Sequence, residues 1–257
     1  MTIDVASKRR TFRDMHADGF FIIPNPWDIG GLRRLENLGF KAIASTSAGF
    51  AWSIGREDNT VPRDLIVDHL RVLSAYTDLP VNADFEAGFG DTAREVGENV
   101  RLAVDAGVAG LSIEDRVADR LYELPLAVER IHASRVAIDA VDRNIILVGR
   151  CENFLIGNKD IDATIARLVE YAKAGADCLY APGVTEPAHI EAIVRAVAPK
   201  SVNVLLMTPD MRASELAALG VRRASVGGRL ARTAWAAFDD AASTLMKEGR
   251  LPPQSFR

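Results

Sequence analysis

Sulfur and imidazole are scarce in this chain: its 257 residues hold two cysteines and four histidines. Cys151 and Cys178 fall in separate candidate strands without CxxC or Cys/His ligand spacing, so they read as reduced core thiols rather than a disulfide. His16, His69, His132 and His189 fall in helical patterns or an N-terminal arm, away from strand ends, which argues against zinc. Long apolar runs are missing too, and no segment approaches the length of a membrane span. The opening MTIDVASKRRTFRDMHADG carries charge throughout and lacks the apolar centre of a signal peptide. The expectation is a cytoplasmic protein with no membrane partner. A basic surplus is also absent: the formal charge is -4, the pI is near 5.7, and only Lys8 to Arg13 forms a dense basic patch. This argues against a nucleic-acid partner and leaves small-molecule chemistry as the better prior. No Pro/Gly/Ser-rich linker or low-complexity stretch interrupts the chain, so a single domain over residues 1–257 is expected.

What is present is a repeating rhythm. Strand-like runs occur at 20–25, 42–47, 80–85, 110–115, 145–150, 178–183, 202–207 and 223–228, eight in all. Between them lie helical patterns such as DLIVDHLRVLSAY, TAREVGENVRLAVDAG, IDATIARLVEYAKAGA and EPAHIEAIVRAVA, with apolar residues three and four apart. Gly39, Gly107, Gly175 and Gly220 each close a helix ahead of the next strand. Regular β/α alternation implies a parallel sheet, and eight units in this length suit a closed (β/α)8 barrel, with an open doubly wound sheet as the alternative. A helical N-terminal arm (about 5–18) and a long C-terminal helix, RLARTAWAAFDDAASTLMKEG, flank the repeat. The apolar stripe of that last helix fits ordinary barrel packing or a partner subunit.

In such a barrel the chemistry belongs to the C-terminal ends of the strands. Those ends carry Ser45, Thr46 and Ser47 after strand 2, Asp84 and Glu86 after strand 3, Glu114 and Asp115 after strand 4, and Arg150 and Glu152 after strand 5. Asp58, in the loop after strand 2, reaches the same rim if that loop folds over. Strand alternation sets Asp84 and Glu86 on one face, where Asp84, Glu86 and Glu114 with no lysine among them raise one another's pKa values unless a hard cation neutralises them. Mg2+, which prefers oxygen ligands and keeps several waters, fits that set. The plainer readings are a helix cap or an arginine partner for the acids, and an ion pair with Glu152 or Glu114 for Arg150. The functional reading of Arg150 is a bidentate clamp for a substrate carboxylate.

At these residues the sequence resembles the phosphoenolpyruvate mutase/isocitrate lyase superfamily, from about residue 10 to 245. The carriers are VNADFEAGFGD, SIED, GRCENF, PNPWDIGGLRRLENLGFKAIASTSAG and ASVGGRLARTAWAAF. The resemblance implies a barrel that binds Mg2+ or Mn2+, exchanges its last helix between subunits and assembles as a dimer of dimers. It implies Asp84 as direct metal ligand, Glu86 and Glu114 as ligands through water, and Asp58 as the acid that closes over the metal. It assigns the Ser45, Thr46 and Ser47 segment, by its backbone amides, and Arg150 to the substrate. Asp58, Glu114 and Arg150 are the candidate catalytic residues. Two departures stand out. Glu86 occupies a position where relatives commonly carry Asp, and the loop after strand 4, DRVADRLYELPLAVERI, has no Cys, Lys or His before its helix, leaving Asp119, Arg120 or Tyr122 for a shortened lid. The implied activity is cleavage of a C–C bond in a small 2-oxo or 2-hydroxy dicarboxylate through an enolpyruvate-like intermediate, as in oxaloacetate decarboxylation or methylisocitrate cleavage. The alternatives are a C–P isomerase or hydrolase acting on phosphonopyruvate-type substrates, with Arg120 or Lys159 as added cations, and a non-catalytic 2-oxo acid binder.

Overall fold

Eight parallel strands form one sheet in the computed structural model, which describes residues 4–253. The chain begins with α1 (Val5–Ala17), capped by the Asp4 carboxylate on Ser7 N–H, then β1 (Phe21–Ile23) and α2 (Ile29–Asn37), capped by Asp28. β2 (Ile43–Ala44), α3 (Ser47–Ser53), α4 (Arg63–Ala75) and β3 (Val81–Asp84) follow. Then come α5 (Ala93–Asp105), opened by a reciprocal Thr92–Glu95 capping box, β4 (Gly110–Glu114), the short hairpin of β5 (Arg116–Val117) and β6 (Arg120–Leu121), and α6 (Leu124–Asp139). The remainder is β7 (Ile146–Arg150), α7 (Ile161–Lys173), β8 (Cys178–Tyr180), α8 (Pro187–Val197), β9 (Ser201–Leu205), α9 (Ala213–Ala218), β10 (Arg223–Ser225) and α10 (Arg229–Glu248).

The sheet order is β1-β10-β9-β8-β7-β4-β3-β2, and Ala44 N–H donates to Pro24 C=O at 3.0 Å to draw the two edges together. This is the nearly closed barrel expected from the β/α rhythm. Each expected strand is present but shorter than its apolar run. The run at 42–47 ends early because Thr46 turns to cap α3, and that at 223–228 because Val226 and Gly227 N–H leave the ladder for Asn25 Oδ1. Gly39, Gly107, Gly175 and Gly220 take φ of +88°, +94°, +111° and +86°, so each helix stops where a side chain would be strained.

Three of the four cations in the patch at Lys8 to Arg13 are engaged, Arg10 alone staying exposed. Lys8 Nζ donates to Ser74 O (2.9 Å) and Thr77 O (2.5 Å), Arg9 to Val104 O (2.8 Å) and Val108 O (3.1 Å), and Arg13 pairs with Asp177 at 3.2 Å. The carbonyls that Lys8 and Arg9 meet lie in the last turns of α4 and α5 and in the loops that lead into β3 and β4. Phe12 and His16, one turn apart on α1, pack edge-on with Phe21. The N-terminal arm is therefore the floor of the barrel, and the cavities lie at the opposite end. Cys151 and Cys178 are buried free thiols. Of the 20 residues of α10 only Ala231 is buried, while Phe238 (62% exposed) and Met246 (88%) face outward. Among the described residues no helix is long and apolar enough to cross a membrane. Residues 1–3 and 254–257 of the expected domain lie outside the described residues.

Candidate active site

β3 ends at Asp84, and that corrects the strand-alternation argument for Glu86. Glu86 lies two residues past the ladder at φ +47°, followed by Gly88 at +83° and Phe89 at +56°. A left-handed residue other than glycine costs roughly 1–2 kcal/mol, so this turn is held from outside. Glu114 N–H donates to Glu86 O (3.0 Å) and Asn99 Nδ2 to Gly88 O (3.0 Å) and Phe89 O (2.8 Å). The buried Arg130 of α6 holds Ala87 O (2.6 Å) and Asp91 O (3.2 Å). The turn, not the pleat, aims the Glu86 carboxylate.

The acids are not without a basic neighbour. Arg150 Nη1 lies 3.2 Å from Asp84 Oδ1 and 3.2 Å from Glu114 Oε2, and its Nε lies 2.5 Å from Glu152 Oε1. Burial opposes the guanidinium charge, but Glu114, Glu152 and Asp84 outweigh it and hold Arg150 well above the usual range. Asp84 Oδ2 accepts from Ser47 N–H and Oγ–H, both at 3.0 Å, and Ser47 Oγ also reaches Asp58 Oδ1 at 3.1 Å. The strand-2 loop thus folds over the mouth. Asp115 faces the other way, to Tyr171 Oη (2.5 Å), Arg167 (3.3 Å) and the Glu152 amide (2.8 Å), and supports the barrel wall.

One guanidinium does not offset this many carboxylates. Burial pushes Glu86 up to about 8, with the Asp84 and Asp58 charges adding to it. Burial also raises Glu114 well above the ordinary value, and burial with Asp84 raises Asp58. Glu86 Oε1 is buried with no hydrogen-bond partner. Between the ordinary value of 4.5 and about 8, the folded chain holds a proton on Glu86 that the unfolded chain has lost. Stability of the metal-free protein therefore falls as pH rises through that window, by on the order of a few kcal/mol. Thermal unfolding in chelator should show a midpoint that drops from pH 5 to pH 8; a flat or rising profile contradicts the reading.

Two cavities meet at these groups. The axial one, about 180 Å³, is bordered by Ser45, Thr46, Ser47, Asp58, Asp84 and Arg150. The lateral one, about 570 Å³, is bordered by Asp58, Glu86, Glu114 and, from the hairpin and its exit, Asp119 and Tyr122. Asp58 borders both, whereas Arg120 and Lys159 border neither. The substrate-binding candidates differ in what they have free. Ser45 N–H pairs with Asn82 O and its hydroxyl accepts from Asp84 N–H, and Ser47 N–H is taken by Asp84. Thr46, whose hydroxyl caps α3, keeps the backbone N–H with no acceptor among the described residues. Among those residues no three or more His, Cys, Asp or Glu side chains close around one point. The donor set nevertheless suits a hard cation: its atoms are carboxylate oxygens, and Glu86 Oε1 is buried and unpaired.

Sequence reasoning missed Arg130 and Asn99, which support the β3 turn from helices, and Asn25, whose Oδ1 accepts from Val226 and Gly227 while its Nδ2 donates to Ser45 O. A usable signal existed for Asn25, a polar residue closing the apolar run FFIIPN.

A family model described as phosphoenolpyruvate phosphomutase matches residues 12–246. The chain belongs to the phosphoenolpyruvate mutase/isocitrate lyase superfamily. Within this superfamily, a provisionally named lyase/mutase of Burkholderia cenocepacia J2315 has a crystal structure that superposes with a TM-score of 0.93 at 46% identity, covering 98% of this chain and 95% of its own. The 2-methylisocitrate lyase of Escherichia coli K12 is 30% identical over 171 residues, 63% of this chain and 57% of that protein. An oxaloacetate decarboxylase of Pseudomonas aeruginosa is 34% identical over 151 residues, 56% of this chain and 51% of that protein. These superfamily matches span little more than half of either enzyme.

Proposed function

We propose that this chain is a Mg2+- or Mn2+-dependent lyase that cleaves a C–C bond in a small 2-oxo or 2-hydroxy dicarboxylate. The observation that carries the reading is the buried, unpaired Glu86 oxygen, which shares the lateral cavity with Glu114 and with Asp58, while Asp58 also borders the axial cavity that Asp84, Arg150 and Thr46 line. Asp84 would hold the metal directly and Glu86 and Glu114 through water. The ion would supply Lewis-acid stabilisation of charge on the C2 oxygen, an effect worth several kcal/mol.

The chain's own residues do the rest. The Arg150 guanidinium binds and orients the C1 carboxylate, and the Thr46 N–H points a donor at the cavity where charge develops. In a 2-oxo dicarboxylate the C3–C4 bond breaks, the C4 carboxylate leaves as CO2 and the bond's electron pair passes through C2 onto the carbonyl oxygen, giving an enolpyruvate-like species; in a 2-hydroxy dicarboxylate the hydroxyl gives up its proton to a carboxylate, the C2–C3 bond breaks, C2 becomes the carbonyl of the released 2-oxo acid and the pair stays on C3. Asp58, more easily protonated than an ordinary aspartic acid, faces both cavities and returns a proton to C3. The β5–β6 hairpin and Tyr122, whose ring lies under Arg130 at 4.1 Å, wall the lateral cavity as a short lid. The names of the two sequence relatives, 2-methylisocitrate lyase and oxaloacetate decarboxylase, support this bond type. The test is a panel of 2-oxo and 2-hydroxy dicarboxylates with Mg2+, scored for pyruvate by coupled assay. Pyruvate release from at least one that vanishes with chelator is expected, and no release from any would overturn the reading.

A C–P isomerase or hydrolase is the second reading, favoured by the description of the family model as phosphoenolpyruvate phosphomutase. Phosphorus NMR of phosphonopyruvate with the enzyme distinguishes it, because a new signal appears only if that bond is attacked. A non-catalytic 2-oxo acid binder is the outcome if calorimetry detects binding and neither assay detects turnover. Its support is the absence of Cys, Lys and His from the lid.

We also propose a cytoplasmic homo-oligomer, a dimer of dimers that exchanges α10. An α10 with only Ala231 buried, and with Trp235 and Phe238 in edge-on contact on its surface, supports a partner subunit there. Trp235→Glu with Phe238→Glu should lower the mass measured by light scattering to that of a smaller assembly. An unchanged mass contradicts the exchange.

A further inference from the structure

The middle of a (β/α)8 barrel is normally packed with branched apolar side chains. Here it holds Asn82, Ser112, Asn203, Arg223 and Ser225, all buried and all bordering the axial cavity. Arg223 is the unusual member. It is 3% exposed, and its hydrogen-bond partners among the described residues are neutral: Asn203 Oδ1 at 3.0 Å, Asn82 Oδ1 at 3.2 Å and His16 Nε2 at 3.4 Å. His16 is neutral because burial, aided by Arg223, pushes it down to about 3, and its Nδ1 lies 2.7 Å from Phe12 O, which leaves Nε2 as the acceptor. No carboxylate pairs with Arg223 among the described residues. The other buried cations differ: Lys8 and Arg9 feel nearby carboxylates, Arg130, which likewise has no ion pair, feels Asp91 and Glu95, and the less buried Arg150 meets three acids. An ion buried without a counter-charge opposes folding, and the fold sustains that cost here in the wall of its cavity.

Arg150 and Arg223 stand in one hydrogen-bonded row of the sheet, Arg150↔Tyr180↔Asn203↔Arg223. Three strand spacings of about 4.8 Å separate them along the sheet. Both border the same cavity, and Nε and Nη1 of Arg223 are engaged while Nη2 has no acceptor among the described residues.

We propose that Arg223, set by Asn82 and Asn203, is a buried anion subsite that takes the carboxylate of the substrate remote from the 2-oxo group, and so selects dicarboxylates over monocarboxylates. This rests on the lyase reading for the position of the 2-oxo acid at the mouth. It adds the residue that determines which acids fit beneath it.

The test is calorimetry in Mg2+ with two probes, pyruvate for the mouth alone and 3,3-difluorooxaloacetate for mouth and floor together, on the wild type and Arg223→Met. The wild type is expected to bind the dicarboxylate at least tenfold more tightly than pyruvate. Arg223→Met should erase that preference while pyruvate affinity stays within about twofold, a split that a general loss of structure would not produce. A preference unchanged in the variant overturns the floor subsite and leaves the mouth reading standing. A wild type that binds neither probe overturns the mouth reading and the subsite with it. If Arg223→Met does not fold, Arg223→Gln, uncharged but able to reach Asn203, takes its place with the same expected outcomes.

Discussion

Replacing Asp84 by alanine should lower metal-dependent turnover by at least about 10^3-fold, the scale of several kcal/mol of transition-state stabilisation. The melting temperature should change by less than about 4 °C, equivalent to about 1 kcal/mol in a chain of this size. The asymmetry follows from its partners. Asp84 accepts from Ser47 and Arg150 at a wet cavity wall, its side chain 19% exposed, so water can replace it for Ser47, while Arg150 keeps Glu114 and Glu152. Removing its charge also relieves Glu86, whose value of about 8 owes its second-largest contribution to Asp84. The Glu86 titration, followed by carbon-detected NMR, should therefore move down in the variant. Unchanged turnover in a metal-scrupulous preparation would remove Asp84 from the chemistry, and an unmoved Glu86 would remove the electrostatic link between the two acids.

The barrel was legible because its signals are local and repeated. Period-three-and-four helices, stops at Gly39, Gly107, Gly175 and Gly220, and short apolar runs each report a neighbouring stretch of chain, and eight in series leave few topologies. Several residues around the candidate site were legible for the same reason: strand ends converge in a barrel, so Ser45, Thr46, Ser47, Asp84 and Arg150 reach one cavity without any long-range information. What escaped depends on departures from regular geometry. Glu86 left the strand because of a left-handed turn fixed by Asn99 and Arg130, two helix residues with no sequence proximity to it. The ion pairing of Arg150 with Asp84 required knowing that β3 and β7, the latter two places away in the sheet, point their ends together. Lys8 to Arg13 read as a dense basic patch, and Lys8, Arg9 and Arg13 became part of the floor by donating to carbonyls at the ends of α4 and α5 and just ahead of β7. Arg223 sits in the strand-like run at 223–228, and nothing local to that run marks it as lining the inside of the barrel.

Arg150→Met should cost about 3–5 kcal/mol of stability at neutral pH, the range for removing one partner of a buried ionic cluster. The variant leaves Glu114 and Glu152, 7% and 1% exposed at the side chain, without their cation. Glu114 is already raised by burial, and Arg150 is the largest influence holding it down, so in the variant it titrates higher still. The sign follows from proton counting: the folded variant holds more protons than the unfolded chain above the ordinary Glu value of 4.5, so its stability is greatest near pH 5 and falls as pH rises. Urea melts at pH 5 and pH 7.5 should show the variant less stable than the wild type and losing stability from the lower pH to the higher; a variant more stable at pH 7.5 contradicts the reading. Arg150→Lys separates the two duties of the residue. An ammonium restores the charge and should recover most of the stability, but it lacks the planar fork that grips a carboxylate, so pyruvate affinity should remain weakened at least tenfold. Recovery of both by lysine would mean that Arg150 contributes charge alone and that the substrate carboxylate is held elsewhere.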